Sequence, residues 1–239
     1  MSGRKSYFID VENVGSKTIE KFLTQDKTSD VVVVTGPQSN FKASGAILEE
    51  LSKGKNSRVD VIHTDISRDQ LADKLLLIKV GEYRGRFPNR SLIIVSNDKD
   101  FMQLCDEETV LWRPTVNEML NTKRIVETTG VHPRNMALAR AMAGDASDNL
   151  PGIKGAGLKT IQKRLPFLGE DKDYNIPDVL DYCIKSTKGS RVQFYNNVID
   201  NKKLVEHNYK MMQLYAPQMS VQAKQFTQEA VENFECDFN

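Results

Sequence analysis

Short apolar runs alternate with helical spacings through the first half of the chain. Tyr7-Phe8-Ile9, ending in Asp10-Val11-Glu12-Asn13, predicts a first buried strand, and an amphipathic helix is expected over Ser16 to Leu23. The run Val31-Val32-Val33-Val34 predicts a second strand, apolar on both faces and therefore central in a parallel sheet, closed by Gly36-Pro37. Ala46 to Leu51 reads as helix and Val59-Asp60-Val61-Ile62 as a third strand. Asp69 to Tyr83, apolar at positions 71, 75, 76, 78 and 80, fits a longer helix. Ser91 to Ser96 is a fourth strand, and a short helix followed by Val110-Leu111-Trp112 completes this half. Strands alternating with helices imply a parallel α/β sheet. Beyond about residue 130 the strand pattern stops. Pro133 to Ala143 and segments near 176–186, 190–200 and 202–214 read as helices. The expected organisation is an α/β domain over 1–130 with its sheet flanked by helices, and an α-helical region over 131–239 with an acidic end (Glu229, Glu232, Glu235, Asp237).

Composition narrows the class. With 39% hydrophobic and 27% charged residues in 239, the chain can bury a sizeable core. The net charge of +1 excludes a uniformly basic surface, so a nucleic-acid site must be a local patch. Cys105, Cys183 and Cys236 are scattered and odd in number, which matches neither a disulfide framework nor a zinc spacing and suggests a reducing compartment. No apolar run approaches 18 residues and no secretory segment follows Met1. A monomeric, cytoplasmic protein away from membranes is expected.

The chemistry gathers in carboxylates. Ligands of open α/β sheets collect at the carboxyl ends of strands, where Asp10, Asp98 and Asp100 fall. Asp69 and Asp73, at i and i+4, share a face near a helix start. Asp145 and Asp148 can face one way across a turn of the helical half. So many like charges are unfavourable together unless cations neutralise them. Oxygen-only ligation suits Mg²⁺ or Mn²⁺, and two such ions can activate water and stabilise the leaving oxygen of a phosphodiester. Directly after the aspartate pair comes a hairpin with Gly152, Gly155 and Gly157, then a basic helix with Lys159 and Lys163 on one face. Glycines allow close backbone approach to a phosphate, and helix-start amides favour an anion. Lys154 and Arg164 add charge beside the hairpin, and Lys185, Lys188, Arg191, Lys202 and Lys203 form a second basic region. Taken singly, these features have plainer explanations: Asp98 as a helix cap, Asp69 as another, the lysines as a solvated face. Their combination favours metal and phosphate. His63, His132 and His207 receive no role, and Trp112 and Phe101 are expected in the core.

Ser96-Asn97-Asp98-Lys99-Asp100-Phe101 followed by Gly144-Asp145-Ala146-Ser147-Asp148-Asn149-Leu150-Pro151-Gly152-Ile153-Lys154-Gly155-Ala156-Gly157 resembles the 5′-nuclease family of flap endonucleases and 5′–3′ exonucleases, with bacterial and bacteriophage members nearest in flavour. The likeness is good over roughly 90–200 and looser over 1–90. It implies a PIN-like nuclease fold followed by a helix–three-turn–helix DNA-binding element. By position, Asp10, Asp98 and Asp100 would hold a first divalent ion and Asp145 and Asp148 a second, with Asp69 standing for one member of a Glu-Ala-Asp-Asp-type motif. K⁺ in the hairpin carbonyls is a further expectation, as in some relatives. The chain departs from the family where Ser67 replaces the leading glutamate, with Asp73 as the compensating acid. The opening Phe8 to Val14 is similar to NYN-type PIN ribonucleases, in which Asp10 and Asn13 would line the site. The span from Asp10 to Asp69 leaves little room for a threading arch, and Gly36 to Ser44, with Lys42, is the only candidate remnant. Lys42, Arg68 and Lys99 are candidates for the scissile phosphate. The resemblance implies a structure-selective, two-metal 5′ nuclease on DNA with a single-stranded 5′ end or flap. RNA or RNA–DNA hybrid cleavage, and a decayed nucleic-acid-binding protein, stand as alternatives.

Overall fold

A computed structural model describes residues 5–10, 14, 17–18, 31–37, 59–64, 91–189 and 192–214. Lys17 and Thr18 are helical. The remainder of the helix expected at 16–23, those expected at 46–51 and 69–83, and the site candidates Asn13, Lys42, Asp69 and Asp73 lie outside the described residues.

The sheet is built from β1 (Lys5–Asp10), β2 (Val31–Pro37), β3 (Val59–Thr64), β4 (Ser91–Val95), β5 (Thr109–Arg113) and β6 (Glu118–Leu120). Their spatial order is β3-β2-β1-β4-β5-β6, with every neighbouring pair parallel except β5–β6. The valine run of β2 lies between two strands, as its two-sided apolar character requires. Phe8, Ile9, Leu92, Ile94 and Leu111 are almost wholly buried in the core. The sequence reading contained no β6. Its three residues pair with β5 by register Leu111↔Leu120 and Trp112↔Met119, and only Leu120 of β6 is buried. One buried side chain is too little apolar signal to announce a strand. Phe101 is fully buried as expected, whereas Trp112 is only half-buried.

By packing, the chain divides into a sheet unit that includes Cys105–Asn121 and a helical unit that starts at Thr122 and also takes in Met102–Leu104. The helical unit holds α1 (Thr122–Thr129), α2 (Met136–Ala143), α3 (Leu158–Arg164), α4 (Ile176–Thr187), α5 (Gln193–Asp200) and α6 (Lys202–Met212). Helix α1 was not expected; its apolar signal is also thin, with Ile125 its only buried residue. Helix α2 buries Met136 through Met142 all round, and α6 is its principal neighbour. Asn175 and Asp178 form a reciprocal cap at the start of α4. Fully buried Asn135 fixes the approach to it: its amide nitrogen donates to the carbonyls of Leu168 and Lys172, and its oxygen accepts from Tyr174 N–H.

Candidate active site

Strand order explains why the first set of carboxylates stands where it does. From β1 the chain runs outward through β2 and β3, then returns to place β4 on the other side of β1. The order reverses between β1 and β4, the place where open α/β sheets form a ligand crevice at their carboxyl ends. Asp10 is the last residue of β1, and Ser96 to Asp100 follow β4 directly.

Asp10 is 1% exposed. Ser96 Oγ donates to its Oδ2 at 2.7 Å and accepts from Asp98 N–H at 3.0 Å, so one buried hydroxyl ties both aspartates together. Asp98 Oδ1 in turn accepts from Asp100 N–H at 2.8 Å and opens the 3-10 helix Asp100–Leu104. The cap role for Asp98 is thus real, and it uses one oxygen; a carboxylate offers about four lone-pair sites, so others remain. Asn97 Oδ1 accepts from Thr115 N–H at 3.1 Å, which holds the β5–β6 turn beside the strand ends.

The second set lies in the helical unit. Helix α2 ends at Gly144 (φ +77°), and Asp145 then forms an antiparallel bridge with Leu150, each N–H donating to the other's carbonyl at 2.8 Å. The loop between is short and tight, with Asn149 at φ +55° and exposed Asp148 in it. The Asp145 carboxylate organises this loop. Its Oδ1 accepts from Ser147 N–H at 2.8 Å and from the Ser147 hydroxyl, and its Oδ2 pairs with the Arg140 guanidinium. Burial pushes its carboxyl up, but the Ser147 hydrogen bonds, Arg140 and the Asp148 N–H outweigh that and hold it below the usual range.

In the hairpin, Gly152 and Gly144 meet backbone to backbone. A Cβ on Gly152 would lie 1.9 Å from the Ala143 carbonyl oxygen, and one on Gly144 would lie 2.3 Å from Gly152 N. Gly152 is therefore demanded by the hairpin's own neck, a reason different from the phosphate approach the sequence suggested. Gly155 (φ +82°) and Gly157 instead border open space. Lys154, Lys159 and Lys163 are exposed around them. Asn208 Nδ2 donates to the carbonyls of Ala141 and Pro151 at 3.0 and 2.9 Å, and Asn197 Nδ2 to that of Lys154 at 3.0 Å.

Several of these partners escaped the sequence reading. Ser96 stood inside the recognised motif, but a serine there could equally have been a cap. Arg140 carried a visible signal, a lone charge within Met136-Ala137-Leu138-Ala139-Arg140-Ala141-Met142. Among the described residues no group of three or more His, Cys, Asp or Glu forms a ready metal cage.

Comparison with known proteins places this arrangement. The PIN domain family model matches residues 4–107. The 5′-3′ exonuclease of Buchnera aphidicola from Schizaphis graminum is 24% identical over 196 residues, 75% of this chain and 68% of that protein. Residues 4–107 thus match a PIN domain, and the chain is similar to 5′-3′ exonucleases over most of its length. It is a nuclease, a phosphodiester hydrolase, on its likeness to these exonucleases. DNA polymerase I of Caldicellulosiruptor bescii is 28% identical over 167 residues, 62% of this nuclease but only 20% of the polymerase. The fold also matches the bacteriophage T5 D15 flap endonuclease, solved as a pseudo-enzyme–product complex with DNA and metal ions. The TM-score is 0.66 at 15% identity, over 96% of this chain and 98% of that one. The expected α/β sheet followed by a helical region is this fold.

Proposed function

We propose that the chain is a divalent-metal-dependent, structure-selective 5′ nuclease that hydrolyses DNA phosphodiesters by a two-metal route. Its substrate is duplex DNA with a single-stranded 5′ end or flap. The observation that supports it most is the buried Asp10 carboxylate at the β1/β4 switch point, linked through Ser96 to Asp98. A carboxylate buried there to 1% exposure, tied through Ser96 to a second one, suits an oxygen donor for a cation. The donor set is all oxygen, which fits Mg²⁺ or Mn²⁺.

Asp10, Asp98 and Asp100 would hold one ion, and Asp148 and the remaining lone pairs of Asp145 a second. Asp69 and Asp73 are proposed as further ligands on chemical type alone. Bound there, the ions supply water activation and neutralise charge on the leaving oxygen. The chain's own residues orient and bind: Ser96 fixes the Asp10 carboxylate, and Ser147 and Arg140 fix that of Asp145. Gly155 and Gly157 leave room for a sugar–phosphate strand, with Lys154, Lys159 and Lys163 supplying charge. Asn13 and Lys42 are proposed nucleic-acid contacts. A K⁺ at the hairpin would use its backbone carbonyls: those of Pro151, Ile153 and Lys154 each accept one protein hydrogen bond and keep a second lone pair. The RNA-cleaving and inactive alternatives gain nothing from the relatives, which are named as exonucleases, DNA polymerases and flap endonucleases.

The test is cleavage of end-labelled branched and linear DNA in Mg²⁺, with Asp98→Asn and Asp145→Asn as controls. Both substitutions are expected to abolish cleavage while duplex binding persists. Full activity in either variant would refute the site assignment.

A further inference from the structure

The hairpin tip turns on one peptide bond. Ala156 N–H donates to the Ile153 carbonyl at 3.0 Å, closing a four-residue turn with Lys154 and Gly155 at its centre. Gly155 has φ +82°, while Lys154 is not among the residues of positive φ. That combination is a type II turn, which differs from type I by a half-rotation of the peptide joining the two central residues. Peptides here are trans, so the Lys154 carbonyl and the Gly155 N–H point in opposite directions. Asn197 Nδ2, from α5, holds the Lys154 carbonyl at 3.0 Å. The Gly155 N–H therefore faces away from α5. It has no acceptor among the described residues, and the space where a Cβ would stand is open.

We propose that Asn197 is a positioning residue for DNA binding: by holding the Lys154 carbonyl it locks the tip in its type II form and aims the Gly155 amide at a backbone phosphate. The inference rests on the proposed reading of the hairpin as a phosphate grip. A neutral amide contact adds affinity without releasing a counterion. It acts apart from the Lys154 side chain, whose charge sets part of the salt dependence. An aspartate at 197 would invert the arrangement. Its carboxylate repels the Lys154 carbonyl and accepts from the Gly155 N–H once the peptide has rotated.

The experiment uses the full chain labelled with ¹⁵N-glycine, a fluorescent duplex carrying a 5′ single-stranded end, and EDTA to prevent cleavage. Asn197→Ala is expected to weaken duplex binding about fivefold or more, with the slope of log Kd against log salt unchanged. Lys154→Ala is expected to lower that slope by about one. In the parent chain the Gly155 amide resonance should move on adding duplex. In Asn197→Asp it should start at a hydrogen-bonded position and no longer respond. Parent-like affinity in Asn197→Ala together with a parent-like Gly155 response in Asn197→Asp would overturn the role of Asn197 alone. A Gly155 amide indifferent to duplex in the parent, with Lys154→Ala binding normally, would overturn the phosphate grip and this inference with it. Should Asn197→Asp fail to fold, the Gly155 response of Asn197→Ala decides: an undiminished response to duplex rejects the lock, and a weakened one supports it.

Discussion

The Ser96 hydroxyl donates to Asp10 Oδ2 at 2.7 Å while accepting from the backbone of Asp98, so the ends of two neighbouring strands share one buried hydrogen-bonded centre. Ser96 itself is fully buried. Ser96→Ala would take the Ser96 hydrogen bond from the Asp10 carboxylate and from the Asp98 backbone. Residues that orient metal ligands typically affect metal affinity or activity by about 10- to 100-fold. Ser96→Ala is therefore expected to cleave DNA within that range more slowly and to need more Mg²⁺ for half-maximal rate, as a Mg²⁺ titration would show. An unchanged Mg²⁺ requirement would separate Ser96 from metal binding.

Arg140 and Asp145 form an ion pair whose side chains are 7% and 19% exposed. Removing one member deprives the other charge of one partner, while Asp145 keeps its Ser147 hydrogen bonds, so the cost is about 1.5–3 kcal/mol. Arg140→Met should lower the denaturation midpoint accordingly. Because Asn at 145 carries no charge to strand, the double variant Arg140→Met/Asp145→Asn should lose less than the two single losses together. Strict additivity in urea unfolding would show that the pair does not couple.

Gly152 and Gly157 separate packing from binding. Gly152→Ala drives a methyl into the Ala143 carbonyl, 1.9 Å from the ideal Cβ. Overpacking of this kind costs about 1–3 kcal/mol or more. It should destabilise the helical unit and weaken DNA binding together. Gly157, with φ −60° and open space around it, accepts a Cβ. Gly157→Ala should melt within about 4 °C of the parent, since a cap change from Gly costs about 1 kcal/mol at most. Weaker DNA binding at that near-parental stability is expected from Gly157→Ala, and anisotropy with thermal melting reports both quantities.

His132 is expected to make the helical unit sensitive to mild acid. Burial lowers its pKa from 6.5; Asp171 opposes this, Arg134 adds to it, and Asp173 opposes it again. The neutral ring is also the form that accepts from Arg134 N–H through Nδ1 at 3.4 Å. With the folded pKa below the unfolded one, the unfolded chain binds more protons in the window beneath 6.5. Stability from this group is complete above that window and falls as pH drops through it, levelling off below the folded pKa. Tm should fall as pH drops below 6.5, and less so in His132→Asn, which keeps an acceptor for the cap. Equal pH slopes in the two proteins would exclude His132 as the source.

Much of the fold could be read directly. β1, β2, β3 and β4 announced themselves as dense apolar runs, and α2, α4, α5 and α6 as periodic ones, because burial on a fixed face imposes a repeat on the sequence. β6 and α1 escaped because each buries a single side chain. The candidate aspartates were legible as residue types at strand ends and beside a glycine hairpin. Their partners were not. Nothing local says that Ser96 reaches a residue 86 positions away, or that Asn197 reaches one 43 positions away.

The linear order of residues by itself determined the α/β-then-helical plan, the carboxylates available and the glycine turn with its basic helix, since these follow from periodicity, charge and backbone freedom along a few neighbouring positions. Tertiary structure alone decided that Asp10 is buried against Ser96, that Asp145 is already paired with Arg140, and that Gly152 serves the hairpin's neck while Gly155 faces open space. Hydrogen bonds and steric contacts between distant segments depend on where the chain returns in space, and no local pattern encodes that return.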